Sequence, residues 1–246
     1  MENDRNNKKQ GQMSRIDSIA EKFKTLIRPA QKASQLKKRV VSSLILIPFA
    51  IYAVLFSKSL FIFFVVSMAV LMTFEWCDMT ASRRNKNKWR LIGFLYIAIP
   101  AYCLVKIKLI DSDTLFWMFL VIWSVDIAAY FTGKIIGGPK LAPSISPGKT
   151  WSGFIGGVVA AIIVGFFTSL MFVGDVLFFI FISILISIIC QISDLVESKF
   201  KRIFDVKDSG NLIPGHGGIL DRMDGAILTA PFVLFVISFF GRQFGL

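Results

Sequence analysis

Long apolar runs, separated by short segments rich in charge, proline or glycine, dominate the chain. An α-helix rising 1.5 Å per residue needs about 20 residues to cross about 30 Å of hydrocarbon. Seven runs approach that length, at about 40–57, 59–78, 91–109, 114–136, 151–173, 176–195 and 225–240. The pattern therefore predicts an all-α fold, a polytopic transmembrane helical bundle of about seven spanning helices.

Composition favours lipid over water as the surrounding solvent. The 246 residues are 54% hydrophobic with a mean hydropathy of +0.65, whereas soluble domains are about 45–50% apolar. Three cysteines without CxxC spacing and a single histidine argue against a zinc site.

The formal charge of +12 is distributed as expected for a membrane protein. Of the 28 Lys and Arg residues, 24 lie in the N-terminal arm and in alternate loops, at 83–90, 134–149 and 199–222. Cytoplasmic loops are enriched in these residues, so the N-terminus is predicted to be cytosolic. The clustering between apolar runs indicates membrane lipid and phosphates as partners, and no nucleic acid. The protein is thus predicted to be a multi-pass integral membrane protein, in the inner or plasma membrane if it is bacterial.

Three regions follow from this pattern. Residues 1–39 form a basic cytosolic arm, in which 16–27 fit either an interfacial amphipathic helix or a solvated tail. Residues 40–113 contain the first transmembrane helices. Residues 114–246 contain the remaining helices and two cytosolic loops, 134–150 and 195–224, and most of the polar chemistry.

Carboxylates lie at both ends of the second loop. Asp194 closes one apolar run, and Asp221 and Asp224 precede the next. Helical spacing of three places the latter two on one face. If the loop folds back to bring Asp194 to them, the three carboxylates form a set suited to a hard divalent cation such as Mg²⁺.

Basic residues and glycines fill the space between these acids. Five cations are suited to neutralising phosphates: Lys199, Lys201, Arg202, Lys207 and Arg222. The run 214–218 reads PGHGG directly before a predicted helix, where free backbone N–H groups favour an anion. Taken singly, each feature is also typical of topology signals, helix caps or close helix packing. Together, within 31 residues, they favour phosphoryl or nucleotidyl transfer.

The arrangement of these residues resembles a known family. The pattern is Ser198-x-x-Lys201-Arg202-x4-Lys207-Asp208-x5-Pro214-Gly215-His216-Gly217-Gly218-x-x-Asp221-Arg222-x-Asp224. Upstream lie Asp126-x-x-Ala129-Tyr130-Phe131-x-Gly133-x3-Gly137 and Ser146-Pro147-x-Lys149-Thr150-Trp151-x-Gly153. These three blocks are similar to those of the phosphatidate cytidylyltransferases, or CDP-diacylglycerol synthases.

The resemblance implies the reaction of CTP with phosphatidate to give CDP-diacylglycerol and pyrophosphate in phospholipid biosynthesis. It implies Mg²⁺ as cofactor, with K⁺ as a candidate second cation, and a homodimer is kept as a hypothesis. The implied metal ligands are Asp194, Ser198, Asp221 and Asp224. The implied catalytic group is Lys201, Arg202, Lys207, Asp208, His216 and Arg222. The implied substrate-binding group is Asp126, Lys140, Lys149, Gly215, Gly217 and Gly218.

The chain departs from the family pattern at two positions. Ser193 stands where the family commonly has glycine, and Ser152 where it commonly has an acidic residue. Two other functions remain as alternatives. A cation-coupled transporter would spread its carboxylates across the bilayer, and another phospholipid transferase would use a different motif. The Asp-Gly-x2-Ala-Arg motif of the CDP-alcohol phosphatidyltransferases is not completed after Asp224.

Overall fold

A computed structural model describes residue 48 and residues 51–172, 175–210 and 218–244. Its main elements are six long helices: α1 (Lys58–Thr80), α2 (Lys86–Ile110), α3 (Ser112–Ile135), α4 (Trp151–Phe172), α5 (Val176–Ile203) and α6 (Leu220–Phe240). A short 3₁₀ helix, Gly241–Phe244, follows α6. All six long helices are apolar enough to span a bilayer, so the prediction of an all-α integral membrane protein is confirmed.

The predicted spans agree with these helices in number and place from residue 58 onward. The first predicted run, 40–57, lies mainly outside the described residues, and so does the basic arm with its candidate interfacial helix. The larger differences concern helix ends. α5 continues to Ile203 and α6 begins at Leu220, so both ends of the predicted loop 195–224 are helical.

The predicted loop 134–150 contains the strands of a small hairpin. Strands β1 (Lys140–Ala142) and β2 (Ser146–Thr150) pair antiparallel, with Lys140 opposite Thr150. Gly137 and Gly138 lead into it with φ values of 66° and 102°, a backbone region that glycine adopts without steric cost. The hairpin returns the chain to Trp151, whose N–H donates to the Pro139 carbonyl at 3.0 Å.

Small residues allow α3 and α4 to approach closely. A Cβ placed on Gly153 would lie 2.8 Å from the carbonyl oxygen of Ala129, and one on Gly156 would overlap the Thr132 side chain. Such contacts are typical of membrane helices, in which small residues let backbones pack against each other. Large apolar side chains point outward instead, as with Phe63 at 70% exposure, which suits a lipid-facing surface.

An aromatic cluster packs α1 and α2 against the C-terminal end of α5. Trp76 on α1 and Trp89 on α2 pack edge-on against Phe204, with ring centroids 5.5 and 5.1 Å away. The Trp76 indole also donates a 2.8 Å hydrogen bond to the Trp89 carbonyl. The first two helices are therefore packed against the segment that contains the predicted chemistry.

Candidate active site

The last turns of α5 present a row of polar side chains. Ser198 lies four residues after Asp194, and Lys201 lies four residues after Glu197. Since Glu197 is three residues after Asp194, the four side chains lie along one helix face. The Ser198 hydroxyl lies 3.5 Å from a carboxylate oxygen of Asp194. The sequence pattern assigned Glu197, Ser198 and Lys201 to a loop, and their helical conformation gives them a common direction with Asp194.

Three carboxylates of α5 and α6 converge. Oxygen atoms of Asp194, Glu197 and Asp224 lie within 4.8 Å of one another. The approach of Asp194 to Asp224 agrees with the pattern of the sequence, whereas the membership of Glu197, which is 1% exposed, was not predicted. Its position three residues after Asp194 could have revealed it, because the same spacing was applied to Asp221 and Asp224. The cluster is able to hold a metal ion, since hard divalent cations are bound by several carboxylate oxygens.

The Ser193 hydroxyl links α5 to α6 by hydrogen bonds beside this cluster. Ser193 donates to the main-chain oxygen of Asp224 and accepts from the Leu228 N–H at 3.3 Å. Its side chain is fully buried. The departure from the family's glycine therefore adds a link between α5 and α6 and keeps Asp194 next to Asp224. The other departure, Ser152, donates to the Gly137 carbonyl and so fixes the hairpin to α4.

Two lysines neutralise part of the acidic charge. Lys149, at the end of β2, contacts Asp194 at 2.5 Å. Lys201 lies between Glu197, at 2.8 Å, and Asp221, at 2.9 Å. These cations are placed where phosphate oxygens could reach them only by exchanging for the carboxylates.

The contacts of Asp221 differ from those of Asp224. Besides Lys201, its carboxylate accepts the backbone N–H groups of Ser209, at 3.2 Å, and Gly218, at 3.0 Å. Asp224 accepts from the Gly225 N–H at 2.8 Å and belongs to the acidic cluster. The two aspartates predicted on one face therefore line one cavity but have separate surroundings.

That cavity has a volume of about 830 Å³, within the range of about 300–1,000 Å³ that is usual for ligand sites. Seven residues from the predicted groups line it: Asp126, Lys140, Lys149, Asp194, Asp221, Arg222 and Asp224. The structure thus brings together side chains from the hairpin, α3, α5 and α6. A transporter path would distribute such acids over the bilayer depth, whereas here they share one chamber.

Several other predicted residues are not among those that line this chamber. Arg202 is exposed and donates to the Ile145 carbonyl of the hairpin at 3.2 Å. Lys207 and Asp208 are exposed in the segment after α5, and Gly218 is buried against Asp221. Gly215, His216 and Gly217 lie outside the described residues.

A second, mostly apolar cavity adjoins the first. Four residues line both: Trp123, Asp126, Arg222 and Asp224. Its remaining walls come mainly from apolar side chains of α1, α3 and α6, among them Phe64, Met68 and Ile122. The polar chamber therefore borders a space suited to hydrocarbon.

Comparison with known proteins gives a family-level match. Residues 90–240 match the model of the family described as Cytidylyltransferase family. This range contains α3 to α6, the hairpin and all the cavity-lining acids described above.

Named relatives are similar over most of the chain. The phosphatidate cytidylyltransferase of Rickettsia bellii is 40% identical over 228 residues, which cover 89% of this chain and 97% of that protein. The Rickettsia typhi enzyme is 41% identical over 212 residues, covering 82% and 91%. The Brucella suis enzyme is 41% identical over 175 residues, covering 68% of this chain and 61% of its own length.

Proposed function

This chain belongs to the cytidylyltransferase family, and we propose that it transfers the cytidylyl group of CTP to phosphatidate. The products are CDP-diacylglycerol, for phospholipid biosynthesis, and pyrophosphate. The observation that supports this function best is that a charged chamber and an apolar cavity lie side by side and share four lining residues. A nucleotide needs the first, and the acyl chains of a phospholipid need the second.

The reaction is a displacement at phosphorus. An oxygen of the phosphatidate phosphate attacks the α-phosphorus of CTP and forms a new P–O–P bond. The bond from the α-phosphorus to the oxygen bridging to the β-phosphorus breaks, and its electron pair leaves with pyrophosphate. The lipid phosphate is already ionised at neutral pH, so positioning and charge neutralisation have more effect than a strong base.

Basic side chains of the chamber bind the phosphates in this proposal. Lys149 lies at its hairpin wall and Arg222 at the boundary with the apolar cavity. Arg222 therefore contacts the lipid phosphate, while Lys149 and Lys140 contact the triphosphate. Lys201 exchanges its carboxylate partners for phosphate oxygens when substrate is bound. Arg202, Lys207, Asp208 and His216 keep the catalytic roles that the resemblance implies.

The acidic cluster fits a magnesium site. Mg²⁺ binds oxygen ligands at about 2.0–2.1 Å, so ligands on opposite sides of one ion are about 4 Å apart, close to the 4.8 Å spread of Asp194, Glu197 and Asp224. Asp194 and Asp224 would hold the ion together with Glu197, and Ser198 and Asp221 complete the proposed set. The bound ion would neutralise phosphate charge as pyrophosphate departs. K⁺ is retained as a second cation.

The membrane supplies one substrate and the cytosol the other. The distribution of Lys and Arg supports a cytosolic opening of the chamber. Phosphatidate then keeps its acyl chains mainly in the membrane, with their first carbons at the apolar cavity. Its phosphate reaches Arg222, and CTP arrives from water. A homodimer remains a hypothesis for the assembly.

Turnover of purified protein tests the function. The full chain in detergent is supplied with CTP and phosphatidate, and CDP-diacylglycerol and pyrophosphate are measured with Mg²⁺ present or chelated. We expect equal amounts of both products, and none after chelation. Ion flux in vesicles without CTP consumption would instead support a transporter.

A matched pair of variants tests the acidic cluster. Asp224→Asn removes a charge from the cluster, and loss of one electrostatic group of this kind lowers turnover by about 100-fold or more. Asp113→Asn changes an exposed carboxylate at the start of α3 and should keep wild-type turnover. Equal activity of the two variants would remove Asp224 from the site.

A further inference from the structure

A buried carboxylate of the first helix contacts the start of the last one. Glu75 lies within the apolar sequence of α1 and is 3% exposed. No part of the proposed reaction uses it. An ionisable side chain in such a position is costly unless protein donors satisfy it.

Three donors distant in sequence satisfy Glu75. Its two carboxylate oxygens accept the backbone N–H groups of Ile219, at 2.9 Å, and Leu220, at 3.0 Å. The Ser209 hydroxyl donates a third hydrogen bond at 3.2 Å. These donors are 134 to 145 residues further along the chain.

Two glycines make space for this carboxylate. A Cβ on Gly210 would lie 2.7 Å from one oxygen of Glu75, and a Cβ on Gly218 would lie 2.9 Å from the other. That Cβ on Gly218 would also lie 2.8 Å from the Gly210 nitrogen. Gly210 and Gly218 therefore lie next to each other, directly beside Glu75.

Glu75 replaces a local helix cap. The N-cap residue of α6 is Ile219, whose apolar side chain cannot accept the free N–H groups of a first helical turn. A carboxylate at a helix N-terminus also interacts favourably with the helix dipole. Glu75 accepts the N–H groups of Ile219 and Leu220, while Asp221 accepts those of Ser209 and Gly218. Two acids thus accept neighbouring backbone N–H groups where α6 begins.

We propose that Glu75 is a positioning residue for the reaction, which fixes the first turn of α6 so that Arg222 and Asp224 keep their places in the chamber. It acts through hydrogen bonds to the backbone and does not touch the substrates. The inference rests on the proposed function for its catalytic readout, but the contacts that define it are independent of the substrate. It also gives α1 a part in the site.

The main test is Glu75→Gln, measured in the full-length protein in detergent. The amide keeps the size and one acceptor oxygen, but it loses the charge and turns an N–H₂ group toward backbone donors. Loss of a residue supporting metal ligands typically lowers affinity or activity by about 10–100-fold. We expect kcat to fall by about that factor. The KM for phosphatidate should rise because Arg222 also shifts, and Mn²⁺ binding, measured by electron paramagnetic resonance, should weaken.

Asp78→Asn is the matched control, because Asp78 is an exposed carboxylate one turn further on α1. Its kcat and Mn²⁺ affinity should equal those of the wild type. A folded Glu75→Gln protein, judged by gel filtration and thermal midpoint, with wild-type kcat and wild-type Mn²⁺ affinity would overturn the proposal.

A milder variant tests the positioning role of Glu75 if Glu75→Gln does not fold. Ser209→Ala removes one donor to Glu75 and leaves the Ser209 N–H to bind Asp221. It should weaken Mn²⁺ binding to a smaller degree, and unchanged binding would refute the positioning role. Wild-type protein that binds Mn²⁺ but does not convert CTP would refute the proposed function, and the effect of Glu75→Gln on Mn²⁺ would still test this inference.

Discussion

Lys201 lies between two carboxylates of different helices, Glu197 on α5 and Asp221 on α6. Glu197 is almost completely buried, and the side chains of Lys201 and Asp221 are each 14% exposed. In such surroundings the loss of one partner leaves an uncompensated charge, which is far more costly than the loss of a pair in water. The stability of the site therefore depends on this one cation as well as on its acids.

Substitution of Lys201 should destabilise the whole protein. Breaking a buried ion pair costs about 3–5 kcal/mol, and for a chain of this size each kcal/mol lowers the thermal midpoint by about 2–4 °C. Lys201→Met is thus expected to lower the midpoint in detergent by about 6 °C or more. Asp205→Asn breaks the exposed pair with Arg83 and should cost at most about 1 kcal/mol. A similar midpoint for both variants would contradict the importance of burial at Lys201.

At the scale of helices, close packing of α3 against α4 sets the width of the chamber. Gly133 and Gly153 face each other across this contact, and both line the cavity together with Ala129. Because the opposing atoms include backbone, no rotation of a side chain can relieve an added methyl group. The two helices would have to separate.

Gly153→Ala tests this contact. The added Cβ would lie 2.8 Å from the Ala129 oxygen, and overpacking of this kind costs about 1–3 kcal/mol. We expect a lower thermal midpoint in detergent. Gly148→Ala provides the comparison, since a Cβ there would meet nothing within 4 Å. An unchanged midpoint for Gly153→Ala would show that the helices separate without cost.

The boundary between the two cavities also belongs to α3. Trp123 lines both and stacks on Phe119 with a centroid distance of 5.7 Å. Trp123→Ala should raise the KM for long-chain phosphatidate several-fold and leave the KM for CTP unchanged, because the lost surface faces the acyl chains. Phe131→Ala, an exposed aromatic residue of the same helix, is the control for both constants. A selective rise in the KM for CTP would place the nucleotide at Trp123 instead.

Most helices could be predicted from the chain, but several of their ends could not. Apolar runs identify the membrane-crossing parts, since burial in lipid requires them. The last turns of α5 are polar, so hydropathy assigned Lys199 and Lys201 to a loop. Those turns are stabilised by packing, with Phe200 and Phe204 against the Trp76 ring, and such contacts are not visible in a local pattern. The confirmed family resemblance identified the motif without showing this geometry.

Glu75 is a part of the site that could not be predicted from the sequence. The reasoning that drew attention to Asp194 and Asp221, that a carboxylate in an apolar run is costly, applies equally to Glu75. Its role could not be deduced from its own surroundings, because Ser209 and Leu220 are more than 130 residues away. The importance of the first two helices therefore became apparent only from the folded structure.

At the scale of the whole molecule, the distribution of charge and the fold together predict how the protein is oriented in the membrane. Lys207 follows α5 at the end of the molecule that holds the chamber, whereas Asp113 begins α3 at the other end. Single cysteines at these exposed positions, in a background without Cys77, Cys103 and Cys190, can be probed with a membrane-impermeant maleimide. Asp113→Cys should react in intact cells and Lys207→Cys only after permeabilisation. The reverse result would invert the proposed topology.

The residues shared by the two cavities bear on how the two products of the proposed reaction are released. In the proposed reaction, pyrophosphate leaves the charged chamber into water, and CDP-diacylglycerol stays in the leaflet that supplied the phosphatidate. The two products therefore separate at the residues that line both cavities. No headgroup needs to be flipped between leaflets, and the enzyme can work without a transport step.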